Sequence, residues 1–478
     1  MVEIIDGLTF DDVLLEPKRS SIESRKNINT RTKLTKNISI NIPIISANMS
    51  AVTESAMAIT MAKLGGIGII HRFLSIEEQA KEVSKVKRAE SLIVYKPYTI
   101  SPEDSLAKAV ELAQKYNISG FPVVNNEKKL VGLLTNRDIK SEYNLEKRVS
   151  EVMTKIESVK RAKANINMDD AEKILLKNKI EKLPLIDDYG ILQGLITLKD
   201  IEKIRQYPLA SKDIKGRLLI GAAIGIRGDY LERAKALVDA GADVLVVDIA
   251  HGHLEDCLEA VKKIKHIYDI DVIAGNIATT EGSIDLIKSG ADGVKVGLGP
   301  GSSCTTRIVT GCGVPQISAI LNAYNAAKGY GDIPIIADGG VRSSGDVVKA
   351  IAAGASSVMI GNILAATDKS PGEIKQKSSG LYKVFYGMAS KKAAILRKEK
   401  TDYNLSVEDY VAEGEEGEIP YKGPTEKLIR NLLGGLWSGM SYQGAEKIDD
   451  FKGKGKFYKQ SQHGIKESYP HDITKLDN

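Results

Sequence analysis

The chain has 478 residues, 42% hydrophobic and 27% charged, with a formal net charge of +5, a length that suits two or three domains of about 100–200 residues each. Lys and Arg alternate with Asp and Glu instead of clustering, so no specific nucleic-acid footprint is expected, and no run of about 18 apolar residues offers a membrane span. Three cysteines (257, 304, 312) form neither a disulfide framework nor a zinc spacing, and the N-terminus lacks an apolar signal core, so a cytoplasmic location is expected.

In chain order, the first apolar runs are Pro43–Ser46 and Gly66–Ile70, followed at once by Asn48-Met49 and His71-Arg72. Next comes an internal repeat. Ile118–Ile139 and Ile180–Ile201 match at Pro122/Pro184, Gly132/Gly194, Thr135/Thr197, Asp138/Asp200 and Ile139/Ile201. Each copy predicts helix, strand, turn, strand, and a Thr-x-x-Asp helix start, and such duplication implies a pseudo-symmetric pair burying a shared face.

Further apolar strands are expected at Leu218–Ala223, Val272–Gly275 and Pro334–Ala337. Three related runs, 240–247, 289–296 and 353–360, each end a helix at a glycine and begin a buried strand. About eight strands alternating with helices predict a parallel α/β sheet closed into a (β/α)8 TIM barrel, with the repeat inserted in one loop. Polar residues follow the strands in phase: Asn48, Arg72, Asp248, Asn276, the Cys304 loop, Asp338-Gly-Gly and Gly361-Asn362. In a barrel that is where an active site belongs, and the last glycine turns suit a phosphate, with Ser302 adding a hydroxyl.

The loop Gly297-Leu-Gly-Pro-Gly-Ser-Ser-Cys304-Thr-Thr-Arg307 carries the chemistry. Glycines let backbone approach a ligand closely, and a thiol at a strand end among amides and hydroxyls has the access a nucleophile needs. A lone cysteine is more often buried and inert; here the flanking residues argue otherwise. Asp338 could accept two ribose hydroxyls, or merely form the turn before Gly-Gly.

Two resemblances extend this reading. The repeat resembles a tandem pair of cystathionine-β-synthase-type (CBS) modules, about residues 92–206. That likeness implies an adenine or guanine nucleotide effector touched by Asp138 and Asp200, which could equally be helix caps only. The Cys304 loop, Ala337-Asp-Gly-Gly340, Asp248-Ile-Ala-His-Gly-His253, Ala274-Gly-Asn-Ile-Ala-Thr279 and Leu8-Thr-Phe-Asp-Asp-Val-Leu-Leu15 resemble the IMP dehydrogenase/GMP reductase family along nearly the whole chain. The expected domains are 1–91 and 208–478 for the barrel, including a flap at 388–413, with modules at 92–146 and 147–207.

The resemblance implies a purine nucleoside monophosphate held by Ser302, Asp338, Gly340, Gly361, Asn362 and Met388. It implies a nicotinamide cofactor on Asp248, Ile249, Ala250, Asn276 and Arg72. It also implies K+ on the carbonyls of Gly299, Gly301 and Cys304, and a homotetramer able to pair into an octamer. His251 and His253 fall in the cofactor loop and are not expected to hold a metal. Cys304 would attack C2 of the purine, with Thr306 and Glu413 as proton relay.

Both activities of the family share that adduct. A dehydrogenase oxidises IMP with NAD+ and needs an activated water, usually from an Arg-Tyr pair on the flap. A reductase takes hydride from NADPH and expels ammonia from GMP. Here the flap reads Arg397-Lys-Glu-Lys-Thr-Asp-Tyr-Asn404, without that pair, and Phe385-Tyr-Gly-Met-Ala-Ser390 and Ala47-Asn-Met49 are reductase-like. Glu413–Gly423, Ser438–Gly444 and Glu467–Asp472 lean toward the dehydrogenase, and Arg397 could substitute from a shifted position. The expectation is an NADPH-dependent GMP reductase, with IMP dehydrogenase as the alternative. A nucleotide sensor on an inactive barrel would have no need of Cys304, Thr306 and Glu413 together, and a flavin barrel would have no use for the Cys-Thr-Thr-Arg loop.

Overall fold

The computed structural model describes residues 2–89, 93–95, 97–116, 118–400, 408 and 410–470. Contacts divide the chain into two compact units: Met1–Ala89 with Leu209–Ile214 and Leu218–Asn478, and Glu90–Pro208 with Lys215–Arg217.

The larger unit is a closed parallel barrel. Its strands are β1 (Ile44–Ser46), β2 (Ile67–Ile70), β3 (Gly221–Ile224), β4 (Val244–Asp248), β5 (Asp271–Ile277), β6 (Gly293–Val296), β7 (Ile335–Asp338) and β8 (Ser357–Ile360). Each pairs with the next, and β8 closes on β1 through Met359 opposite Ile45. A helix follows every strand: α1 (Ser55–Lys63), α2 (Ile76–Ala89), α3 (Tyr230–Asp239), α4 (Glu255–Ile267), α5 (Thr280–Lys288), α6 (Gln316–Lys328), α7 (Ser344–Ala353) and α8 (Thr425–Tyr442). The expected (β/α)8 barrel is therefore present. Among the described residues, no helix is long and apolar enough to cross a membrane.

Alternation along the strands decides what fills the barrel. Val244 and Val246 of β4, Ile273 of β5, Ile336 of β7 and Met359 of β8 point inward and pack with Ile45, Ile67 and Ile69. Their neighbours Leu245, Val247, Val272 and Val294 face the helices in a second cluster. Leu34 and Ile40, from a short hairpin (Thr32–Lys33 with Ser39–Ile40), join the interior cluster at the N-terminal end of the barrel. The opposite mouth is left for chemistry, as in other barrels of this kind.

Several strand edges differ from the sequence expectation. Leu218–Ile220 precedes β3, because Leu219 N–H bonds the Ser211 carbonyl at 2.9 Å and Leu218 pairs with Lys212. Asp248 and Asp338 are the last residues of β4 and β7, and Asn276 lies within β5, so these side chains sit on the strands themselves.

After β8, strands β9 (Ile374–Lys377), β10 (Gly380–Tyr386) and β11 (Glu416–Pro420) form an antiparallel sheet. Residues Lys391–Lys400 of the expected flap are helical, whereas Asp402, Tyr403 and Asn404 lie outside the described residues.

The smaller unit contains two three-stranded sheets, Gly120–Val124/Leu130–Thr135/Thr154–Lys155 and Ala162–Lys163/Lys182–Ile186/Leu192–Thr197. Their matching hairpins reflect the sequence repeat. Thr135 and Asp138 form a capping box, with Asp138 accepting from the Thr135 N–H at 2.8 Å and its hydroxyl at 2.7 Å. Asp200 accepts from the Thr197 hydroxyl at 2.6 Å.

Candidate active site

Where β6 ends, the chain must turn hard against β7. A Cβ at Gly297 would lie 2.0 Å from the Asp338 carbonyl oxygen, and φ there is +150°, so the position admits only glycine. Buried Gln316 locks the corner by donating to the carbonyls of Val296 (3.0 Å) and Asp338 (3.2 Å). The loop then runs to Cys304, with Arg307 pinning it through the carbonyls of Leu298 and Val314.

A distant segment completes the loop. Thr305 N–H donates to the Glu413 carbonyl at 2.9 Å, Glu415 N–H to the Ser303 carbonyl at 2.8 Å, and Cys304 pairs with Gly414 in a backbone bridge. This short ladder carries the Glu413 side chain to the thiol. The Cys304 Sγ lies 3.2 Å from the Thr306 hydroxyl, which donates to Glu413 Oε2 at 2.8 Å. Cys304, Thr306 and Glu413 thus form one continuous chain of hydrogen bonds. Cys304 is half-buried, whereas Cys257 is fully buried and burial pushes its thiol up to about 12. Cys312 is exposed and lines none of the cavities described here.

A cavity of about 420 Å³ opens over the thiol. It gathers Cys304, Thr306, Glu413, Asp338, Met388, Asp248, Ile249, Ala250, Asn276, Arg72, Gly299 and Gly301, all singled out from the sequence. The remaining four, Ser302, Gly340, Gly361 and Asn362, line an adjoining cavity of about 490 Å³ that shares Gly301, Ser303, Asp338 and Gly339 with the first. The two form one groove, with the thiol in one part and the glycine turns of β7 and β8 in the other.

Sequence reasoning missed the residue at the centre. Lys295 of β6 is 1% exposed and donates to Asp248 Oδ1 at 2.6 Å, to Asp338 Oδ2 at 2.8 Å and to Asn276 Oδ1. Burial opposes its charge, but the two carboxylates outweigh that and hold its pKa above the ordinary lysine value. Asp248 is held below the usual carboxylate range in turn: its own burial works the other way, and Lys295 overcomes it. The signal was present, since a lysine flanked by Val294 and Val296 in a buried strand must point to the opposite side from them.

Tyr410 was also missed. It lines the thiol cavity with Arg397, whose guanidinium carbon stands 5.7 Å from the ring centroid. Burial raises the Tyr410 pKa, against the pull of Arg397. An arginine and a tyrosine thus stand beside Glu413, thirteen positions apart in sequence rather than adjacent.

In the smaller unit a cleft of about 460 Å³ is lined by Asp138 and Thr135 from one repeat and Lys179, Glu181 and Lys182 from the other. Lys182 bonds the Ser119 hydroxyl at 2.7 Å. Asp200 does not line this cleft.

The description of the IMP dehydrogenase / GMP reductase domain matches residues 7–471. The inosine-5'-monophosphate dehydrogenase of Nitrosopumilus maritimus is 52% identical, covering 99% of this chain and 100% of its own; that of Bacillus subtilis is 49% identical, covering 98% and 96%. Among solved structures, a GMP reductase variant from Trypanosoma brucei in complex with guanosine 5'-monophosphate is 42% identical. It superposes with a TM-score of 0.90 over 98% of this chain and 99% of that one. The T. brucei enzyme in complex with guanosine 5'-triphosphate is 40% identical, with a TM-score of 0.79 over 96% and 98%. Members of this family are oxidoreductases of purine nucleotide metabolism, and the chain belongs to the IMP dehydrogenase/GMP reductase family.

Proposed function

We propose that this oxidoreductase is an NADPH-dependent GMP reductase that converts GMP to IMP and ammonia. The observation that carries the reading is the Cys304–Thr306–Glu413 hydrogen-bond chain in a flap that has no Arg-Tyr dipeptide between Met388 and Glu413. A reductase needs a proton delivered to a leaving amine, and this relay ends at the thiol that would carry the purine. A dehydrogenase needs a base for water, which the flap sequence does not provide in its usual form. The full-length likeness to a GMP reductase bound to its nucleotide is compatible with this direction, while relatives of higher identity are named IMP dehydrogenase.

In this reading Asp338 takes the ribose hydroxyls. Ser302, Gly340, Gly361 and Asn362 hold the phosphate, and Met388 contacts the base. Cys304 sulfur bonds to C2 of the purine. The C2–N bond then breaks as Glu413, through the Thr306 hydroxyl, protonates the departing amine. After reduction at C2 the C–S bond breaks, and the free thiol returns. Asp248, Ile249, Ala250, Asn276 and Arg72 form the cofactor wall, where a bound dihydronicotinamide supplies the hydride. The fit is supported by Arg72, which lines this space and whose buried Nε has no hydrogen-bond partner. A potassium ion on the Gly299, Gly301 and Cys304 carbonyls is part of the reading; the Gly301 oxygen accepts one N–H and keeps a second lone pair.

IMP dehydrogenase is the second reading, favoured by the Arg397–Tyr410 pair in the thiol cavity. A two-way absorbance assay decides. Loss of NADPH with GMP alone is expected; NADH formation from IMP and NAD+ with potassium, without the former, would overturn the reductase reading.

The cleft of the smaller unit is proposed to bind a purine nucleotide effector through Asp138, although Asp138 also caps its helix as Asp200 does. Asp138→Ala is expected to abolish the rate response to added ATP or GTP while leaving basal turnover intact. An unchanged response would remove Asp138 from the effector site.

A further inference from the structure

The thiol cavity continues into another of about 540 Å³. Arg72, Ile249, Ala250 and Arg397 line both. The second cavity is walled by the β3–α3 loop, Gly225-Ile-Arg-Gly-Asp229, and by Arg233, His251 and Leu254. Four guanidiniums meet one carboxylate in this wall, and the N-terminus of the ten-residue helix α3 adds its dipole. Arg233 is 2% exposed and already neutralised by Asp229 at 2.6 Å. Burial presses the charge of Arg72, as do Arg397 and Arg233, with Asp248 and Asp229 pulling the other way. An anion entering this cavity is therefore stabilised before it makes any specific contact.

The order of the arginines along the path assigns their partners. A dinucleotide with its reactive ring over Cys304 has its pyrophosphate next and its adenosine beyond. Arg72 and Arg397 line both cavities, so the pyrophosphate of a dinucleotide bound this way would meet them; Arg227 lines only the outer cavity, where the adenosine would lie. Its guanidinium is 79% exposed and donates from Nε and Nη2 to the same oxygen of Asp256, at 2.9 and 2.6 Å. In dinucleotide sites a carboxylate accepts the 2'-hydroxyl of an unphosphorylated adenosine ribose, and an arginine takes a 2'-phosphate instead. Arg227 does both jobs: it neutralises Asp256 and keeps its remaining nitrogen, Nη1, for the phosphate.

We propose that Arg227 is the residue that makes the chain select a dinucleotide carrying a 2'-phosphate over one with a free 2'-hydroxyl. The inference rests on the reductase reading for the direction of the reaction, and its test is a binding measurement that needs no turnover. NADPH and NADH are titrated against the full chain without GMP, with the fluorescence of the reduced nicotinamide as the signal. The wild-type chain is expected to bind NADPH more tightly. Arg227→Gln should weaken NADPH by about tenfold to a hundredfold, as expected for loss of a charge-assisted phosphate contact, and leave NADH unchanged or tighter, because Asp256 is uncovered. Arg227→Lys should recover part of the NADPH affinity. Equal binding of the two by the wild type, an equal loss of both in Arg227→Gln, or no change would each overturn the proposal. The turnover assay separates the failures: NADPH selectivity without GMP reduction sinks the reductase reading and leaves Arg227 standing.

Discussion

Cys304→Ala is expected to lower NADPH oxidation with GMP by about three orders of magnitude or more, because the only covalent step is lost, while GMP still binds. The argument is geometric. The residues proposed to hold ribose and phosphate, Asp338, Ser302, Gly340, Gly361 and Asn362, make no hydrogen bond to the Cys304 side chain, so that surface survives the substitution. Calorimetry with GMP and a turnover assay on the same preparation read both quantities, and measurable turnover in the variant would refute the nucleophile. The relay is read separately. Glu413→Gln keeps the hydrogen bond to Thr306 and removes the proton, so it should cost about a hundredfold in rate, within the span of general acid catalysis. The solvent isotope effect should grow while the effect from deuterated nicotinamide shrinks. Unchanged rates would take Glu413 out of the mechanism.

Most of the architecture was legible because barrel strands are short apolar runs set at regular intervals, and polar residues follow them in phase. Boundaries were less so. Leu218–Ile220 is as apolar as β3, and only its pairing with the 209–214 segment separates the two. Within the site, Cys304 announced itself through its own glycine loop. Glu413 did not: it meets Thr306 across 107 positions of sequence through a backbone ladder that leaves no local pattern. It came from family resemblance alone. The Arg397–Tyr410 neighbourhood shows the same limit, since the sequence offers only spacing and the contact depends on how helix 391–400 returns to the cavity. Asp138 and Asp200 are equivalent in the repeat, yet only Asp138 reaches the cleft. A sequence repeat conveys the shared scaffold and is silent on which copy lines a given cleft.

Lys295→Met should be the most disruptive single change in the barrel. The side chain is of similar length, so packing is nearly conserved, but Asp248 and Asp338 lose the ammonium that both contact in the mouth. Breaking a buried ion pair by removing one partner costs about 3–5 kcal/mol, and here one lysine serves two carboxylates, 16% and 20% exposed. The consequence reaches function because, in the proposed reading, those carboxylates serve different halves of the site: Asp338 the nucleotide ribose, Asp248 the cofactor wall. Lys295 is a positioning residue that ties them through one ammonium, with Asn276 as a third partner. Urea denaturation should report the stability loss. A destabilised but folded variant should also show a raised KM for GMP together with weakened NADPH binding, whereas a purely structural lysine would lower the folded fraction and leave both constants of the folded fraction intact. Lys295→Arg should restore stability in part, since the charge returns in a bulkier frame. Wild-type stability in Lys295→Met would mean that Asp248 and Asp338 do not depend on the ammonium, and the central role assigned to β6 would fall with it.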